Sequence, residues 1–419
     1  MSLSKKKYSF WQTIVMFLAV LGPGIITANV DNDAGGIATY SLAGAHFGYS
    51  LLWVFIPITI SLVVVQEMSV RMGAVTGKGL GDLIREEYGV KAIVFVMVGL
   101  LINNMGTTVA EFAGIAASME IFGISKYVSV PISAFLVWWI IVKGTYNQVE
   151  KIFLVASSLY ISYIISGFLS KPQWGEVASA ALHPTFQMNT TYLMMVIGMV
   201  GTTISPWMQF YIQSAVVEKG ITVKELKHSR IDVVVGSIFQ ALVALFIVIA
   251  CAATLYKNHI QINDARDAAL ALKPLAGKFA SELFAFGLFN ASFFAASILP
   301  LSTAYYICEA LGFEAGVDKS FSEAKVFYWL YTILIVLGAG MILIPGLSLI
   351  TIMYISQVVN GFLLPAVLIY ILKLINNPDV MGEYVNEGSL NIIAWLTCVI
   401  TIVLSGLLVV SVIFPGIFS

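Results

Sequence analysis

Apolar residues in this chain run in stretches too long and too uniform for one face of a water-soluble helix. A helix that crosses a bilayer needs about 20 mostly apolar residues. On that measure eleven spans are predicted, near 11–46, 51–74, 92–122, 126–143, 152–169, 189–217, 229–256, 279–311, 325–344, 347–375 and 391–414. The first, sixth, eighth and tenth are longer than a bilayer is thick, so tilt, a break or an extension beyond the lipid is expected. The two longest polar connections, about 170–188 and 257–278, are too short to bury a core of their own. The prediction is an all-α polytopic protein, one transmembrane domain over 1–419.

Two spans carry interruptions that a lipid-facing helix would not tolerate. In the first, Gly22-Pro23-Gly24 is followed by Asn29-Val30-Asp31-Asn32-Asp33-Ala34-Gly35-Gly36 before apolar sequence resumes at Ile37. An intramembrane charge costs a few kcal/mol, so carboxylates at mid-span mark a cavity or a bound ion. The glycines weaken the helix and leave carbonyls free as ligands. In the sixth, Gly198-Met199-Val200-Gly201-Thr202-Thr203-Ile204-Ser205-Pro206-Trp207 combines loose backbone with a proline that lacks a donor. Taken alone, this span reads either as a break or as an ordinary proline kink. Paired with the first span it says more. If spans 1–5 (11–169) and 6–10 (189–375) are two repeats, their odd number makes the second inverted, with 391–414 as an additional helix. Interruptions at matching places in inverted repeats point to a transporter's midplane site.

Composition fits this picture. The 419 residues are 59% hydrophobic and only 11% charged, against roughly a quarter charged in soluble proteins, so lipid must cover much of the surface. A net charge of −1 argues against a nucleic-acid partner. With the N-terminus inside, 16 of the 22 lysines and arginines fall on the inner side, among them Lys5, Lys6, Lys7, Arg71, Lys78 and Arg85. The positive-inside rule then places the N-terminus in the cytoplasm and the C-terminus outside. The apolar run after Lys7 exceeds a signal-peptide core and reads as a retained first helix. Cys251, Cys308 and Cys398 lie in apolar stretches without metal-site spacing, and His46, His183, His228 and His259 sit near ends or in loops. No His-Glu-x-x-His, nucleophile elbow or nucleotide-binding domain is present, and Gly22-Pro23-Gly24 has no Walker-type partners. An enzyme or a primary pump is not expected, and no resident cofactor is implied.

Several segments resemble the Nramp family of divalent-metal transporters. Gly22-Pro23-Gly24, then Asp33-Ala34-Gly35-Gly36 and Ala38-Thr39, then Ala43-Gly44-Ala45, follow its first helix, whose usual motif is Asp-Pro-Gly-Asn. Arg71-Met72-Gly73-Ala74-Val75-Thr76-Gly77-Lys78, running on to Asp82-Leu83-Ile84-Arg85, is similar to the loop after its second helix. Ala110-Glu111 with Gly114 matches the third helix, Ser356-Gln357-Val358-Val359 the tenth, and Met381-Gly382-Glu383-Tyr384-Val385-Asn386 the loop that follows. The resemblance implies a LeuT-like fold and a metal site between the first and sixth helices, with a divalent cation as substrate.

The departures bear on which cation. Asp33 keeps the family's acid, but Gly36 stands where the pattern has Asn. Ser205 and Trp207 replace Met and His of the sixth helix, and Thr108 replaces an acid of the family's proton path, while Glu111 remains. Losing a thioether removes a preference for softer metals. Asp31 adds a carboxylate. Mg²⁺ is usually held by one or two carboxylates with several waters retained. The pattern is similar to the magnesium-carrying branch of the family, which implies Mg²⁺, with Mn²⁺ also carried, and no proton coupling. The alternatives are a proton-coupled Mn²⁺/Fe²⁺ importer and, less favoured, an amino-acid transporter of the same fold or a channel. The expected ion site comprises Asp33, Asp31, Gly36, Thr202, Ser205 and Gln357, with Thr202 and Thr203 offering carbonyls. Asn29 and Asn32 read either as ligands or, the favoured reading, as partners for freed backbone groups. Gln357 and Asn360 share a helix face and either line an outer vestibule or bond between helices. Glu111 reads equally as a functional acid or a buried structural one. Glu67, four residues before Arg71, is expected to form a helix-surface pair.

Overall fold

A computed structural model describes residues 24, 27, 30–144, 161–273 and 277–414. The principal helices are α1 (Ala34–Phe47), α2 (Phe55–Thr76), α3 (Leu80–Ile121), α4 (Lys126–Lys143), α5 (Ile161–Leu169), α6 (Trp174–Leu182) and α7 (Thr190–Thr203). They continue with α8 (Pro206–Glu218), α9 (Leu226–Thr254), α10 (Ala280–Leu311), α11 (Lys325–Ile342), α12 (Leu349–Ile375) and α13 (Gly388–Ile413). Among the described residues, nine helical segments are long and apolar enough to cross a membrane, and they coincide with nine of the eleven expected spans. The other two, 11–46 and 152–169, lie partly outside the described residues. Gly22, Pro23 and Asn29 are among those outside.

The third span starts earlier than hydropathy predicts. Helix α3 begins at Leu80, with Gly89 breaking it at φ 80°, a conformation glycine adopts without steric penalty. Before Gly89 the helix buries Leu80, Leu83 and Ile84 while Glu86 and Glu87 face outward, so this turn lies along the surface before the span begins. The connection near 170–188 contains α6, pinned by Trp53 Nε1, which donates to Thr185 O at 3.1 Å.

Helix α1 is buried on every side from Ala34 to Ala45, as expected for a half-helix of small and apolar residues at the centre of a bundle. It packs against α9, α12 and α7, while α3 packs against α10, α12 and α11. At the periphery, Phe135 and Trp139 of α4 and Ile392 and Val403 of α13 are exposed, as lipid-facing side chains are.

Small residues set the approach of α7 to α12. A Cβ on Gly201 would overlap the Gln357 carbonyl and the Gly361 backbone nitrogen, and one on Gly361 would overlap the Ile197 carbonyl. Close backbone contact of this kind is how membrane helices associate. Gly201→Val is expected to destabilise the protein by about 1–3 kcal/mol, an overpacking cost, read as a lower thermal midpoint in detergent. An unchanged midpoint would mean the helices can separate freely there.

The Glu67–Arg71 pair forms at 3.0 Å, but it is buried rather than on a helix surface. The loop before α13 covers it: Arg71 Nη1 donates to the carbonyls of Tyr384 (3.0 Å) and Val385 (3.2 Å), and Nη2 to Asn386. Arg230 Nε meets Glu67 Oε1 at 2.7 Å, closing a three-charge network.

Candidate functional site

Both predicted breaks are present, and they meet. Helical geometry at Val30 gives way to a turn over Asp31–Asp33 and resumes at Ala34. Asp33 has extended backbone (φ −68°, ψ −175°) and caps α1, its Oδ1 accepting from Gly36 N at 2.6 Å. A carboxylate suits this position because the first amides of a helix lack internal partners and the helix dipole favours negative charge there. Glu111 takes the next free amide, accepting from Ala34 N at 3.1 Å. The half-helix therefore starts between two acids, Asp33 from its own chain end and Glu111 from α3.

In the sixth span α7 ends at Thr203, Ile204 is non-helical (φ −126°, ψ 61°), and Pro206 is the first residue of α8. There the missing proline N–H leaves no bond unmade. The Ser205 hydroxyl bridges the gap. It reaches Gly201 O at 2.7 Å, Thr202 O at 3.3 Å and Asp31 Oδ1 at 3.4 Å. One hydroxyl carries one proton, so the short Gly201 bond takes it and the Asp31 carboxylate is only weakly engaged. Thr202 Oγ1 lies 3.4 Å from Asp31 O, tying the two breaks together.

Two glycines let this happen. A Cβ on Gly36 would lie 2.6 Å from Asp31 O and 3.0 Å from Thr202 Oγ1. At Gly35 a Cβ would occupy the place of the Gln357 amide, whose Nε2 is 3.4 Å from both carboxylate oxygens of Asp33. The six residues singled out from the sequence, Asp31, Asp33, Gly36, Thr202, Ser205 and Gln357, thus come together in one buried cluster. In and beside this cluster, three buried acceptors have no protein hydrogen-bond partner among the described residues: Asp31 Oδ2, Asn32 Oδ1 and Glu111 Oε1. Buried acceptors without a partner are costly, and a cation is one group that an acidic oxygen can take up. Among the described residues no three His, Cys, Asp or Glu side chains converge as a closed metal cage.

Residues 24–411 match the family described as natural resistance-associated macrophage protein-like, Nramp. The chain belongs to the Nramp family. Curated relatives include the divalent metal cation transporter MntH of Deinococcus radiodurans, 27% identical over 93% of this chain and 89% of that protein. The protein of the same name from Aeromonas hydrophila is 28% identical over 94% and 96%. Among solved structures, the Eremococcus coleocola manganese transporter in complex with an aromatic bis-isothiourea substituted compound superposes with a TM-score of 0.78 at 22% identity, covering 98% of this chain and 90% of that one. Mhp1, a nucleobase-cation-symport-1 transporter, superposes at 0.58 and 13% identity, over 95% and 92%. The fold is therefore the LeuT-like arrangement that the Nramp resemblance implies, with the broken first and sixth helices read from the spans.

The departures from the Nramp pattern have visible structural settings. Gly36 is demanded by the packing of Asp31 and Thr202 over it. Trp207 is fully buried, and Ser302 Oγ donates to its carbonyl at 3.2 Å. Thr108 Oγ1 turns back onto Asn104 O of its own helix at 2.7 Å. Thr203 Oγ1 donates to Met199 O at 2.7 Å and meets Tyr40 OH at 2.8 Å. Asn32 Nδ2 donates to the carbonyl of Gln240 inside α9 at 3.4 Å, which is not a backbone group freed by the break. Three polar residues around the site escaped sequence reasoning: Tyr40, Gln240 and Asn103. The signal for the last was available, since Asn103-Asn104 is a polar pair inside an otherwise apolar stretch.

Proposed function

We propose that this Nramp protein carries divalent metal cations across the membrane, binding them between the two helix breaks. The carrying observation is the meeting of Asp33 and Asp31 with the Thr202–Ser205 turn and Gln357 in one buried cluster, where Asp31 Oδ2 has no protein hydrogen-bond partner among the described residues. Asp33 and Asp31 supply charge; Ser205, Gln357 and the carbonyls near Gly36 and Thr202 supply neutral oxygen. The cation is the substrate and no cofactor is invoked. Two repeats, 11–169 and 189–375, rock about this point, with the N-terminus cytoplasmic and the C-terminus outside.

Within that class the donor set supports Mg²⁺, with Mn²⁺ also carried, as a partly hydrated ion. Every side chain at the site offers oxygen or an amide, and Ser205 stands where a sulfur would select softer metals. Neither Trp207 nor Thr108 can carry a proton, so uptake is read as driven by the ion's own gradient. The membrane potential supplies about 2.3 kcal/mol per charge per 100 mV. A proton-coupled Mn²⁺/Fe²⁺ importer is the second reading, favoured by Glu111 standing at the α1 start beside Asp33 and by the manganese-transporter name of the Eremococcus coleocola structure.

Proteoliposomes decide between them. Mg²⁺ and Mn²⁺ are both expected to enter under an inside-negative potential without acidifying the lumen. Lumenal acidification with Mn²⁺, and no Mg²⁺ flux, establishes the second reading.

A further inference from the structure

Behind Gln357 lies a row of amides that the proposed transport does not by itself explain. Asn360 Nδ2 donates to Gln357 Oε1 at 2.7 Å, and Asn103 Nδ2 donates to Asn360 Oδ1. All three are buried, and the row joins α12 to α3. Its direction is dictated from one end. A carboxylate only accepts, so Gln357 must turn its NH₂ to Asp33; its oxygen then faces Asn360, whose own oxygen is left for Asn103. The row ends on Asn103 Oδ1, which has no hydrogen-bond partner among the described residues.

A row of primary amides has two polarities with the same number of internal bonds. In the observed one an N–H points at Asp33. In the other all three amides are turned over: Gln357 Oε1 points at Asp33, Gln357 donates to Asn360, and Asn360 donates to Asn103 Oδ1. Only the second offers oxygen to a cation held by Asp33. We propose that Asn360 and Asn103 are positioning residues that set which face Gln357 turns to the ion, so that the row inverts as the cation binds and restores itself on release. This rests on the divalent-metal reading above and adds a device to it: the two polarities are near-equal in bonding, and the charge at Asp33 selects between them. Asn103 acts from α3, two residues removed from any contact with Asp33.

An acceptor-only side chain at the far end forces the second polarity. Asn103→Asp should make Asn360 donate outward and thereby leave Gln357 Oε1 facing the site. In proteoliposomes loaded to follow Mn²⁺ and Mg²⁺ uptake, Asn103→Asp is expected to lower KM about fivefold and to lower the maximal rate, because release then works against the locked row. Asn103→Leu, of similar size, should not lower KM. The double variant Asn103→Asp/Asn360→Leu separates relay from long-range charge: with the row cut, the fall in KM should disappear. Asn360→Asp, one step nearer, should repeat the single-variant shift and guards against a folding defect peculiar to position 103. Equal behaviour of the Asp and Leu variants, or a KM shift that survives the Asn360→Leu cut, overturns the proposal. Absence of any divalent-metal uptake by the unaltered protein would instead refute the transport reading itself.

Discussion

Asp33→Ala is expected to abolish divalent-metal uptake, with a fall of roughly 100-fold or more, since even outer partners of metal ligands commonly contribute 10–100-fold. Asp33 has two separable duties in this structure. Its side chain caps α1 through Gly36 N at 2.6 Å, and it is the carboxylate nearest to Gln357. Loss of a cap costs about 1 kcal/mol, too little to unfold a half-helix buried along nearly its whole length. Asp33→Asn keeps an oxygen for the Gly36 amide but removes the charge. If the charge is what matters, Asn should fail as completely as Ala while retaining the unaltered thermal midpoint. Near-normal uptake by Asp33→Asn would reduce the residue to a helix cap and move the ion elsewhere.

The second large effect is expected at Gly36, where the Nramp pattern has Asn. Gly36→Asn restores the family's residue type, yet uptake of both Mg²⁺ and Mn²⁺ should drop about tenfold or more. The physical reason is local. A Cβ there would meet Asp31 O at 2.6 Å, Thr202 Oγ1 at 3.0 Å and Asp33 Oδ1 at 3.3 Å, so the turn that brings the two breaks together must open. Overpacking of this sort costs about 1–3 kcal/mol, and here the strain falls on the proposed ligands themselves. Substitution of Thr202 by Ala in the same background relieves one of the three contacts and should recover part of the loss. A gain of Mn²⁺ uptake by Gly36→Asn alone, without loss of Mg²⁺, would show that the site has room for the larger side chain.

Much of this protein can be read in one dimension because the bilayer imposes its rule locally. Spans are legible as runs of apolar residues, and the breaks are legible because Asp31, Asp33 and Pro206 violate the run that contains them. The early start of α3 was less legible: its first turns are amphipathic, and hydropathy averages across Gly89. Burial of Glu67 and Arg71 was not legible either, since a pair four residues apart looks the same on a surface as under a loop. Only the distant segment Tyr384–Asn386 decides that the pair is covered.

The same division holds at the site. Residue type and spacing marked the two mid-span breaks, the acids because each is costly in lipid without a function, while Gly36 and Gln357 could be named from sequence through the resemblance to the Nramp motifs. The tertiary structure decided how they are used. It placed Ser205 between Gly201 and Asp31, set Glu111 on the first amide of α1, and ran the amide row from Asp33 through Gln357 and Asn360 to Asn103. Those contacts join residues far apart in the chain, and their geometry depends on how closely α1, α3, α7 and α12 approach. Between α7 and α12 that distance is set by glycines meeting backbone across helices, and at Gly35 and Gly114 by glycines meeting a neighbour's side chain, a property of pairs of segments that neither segment carries alone.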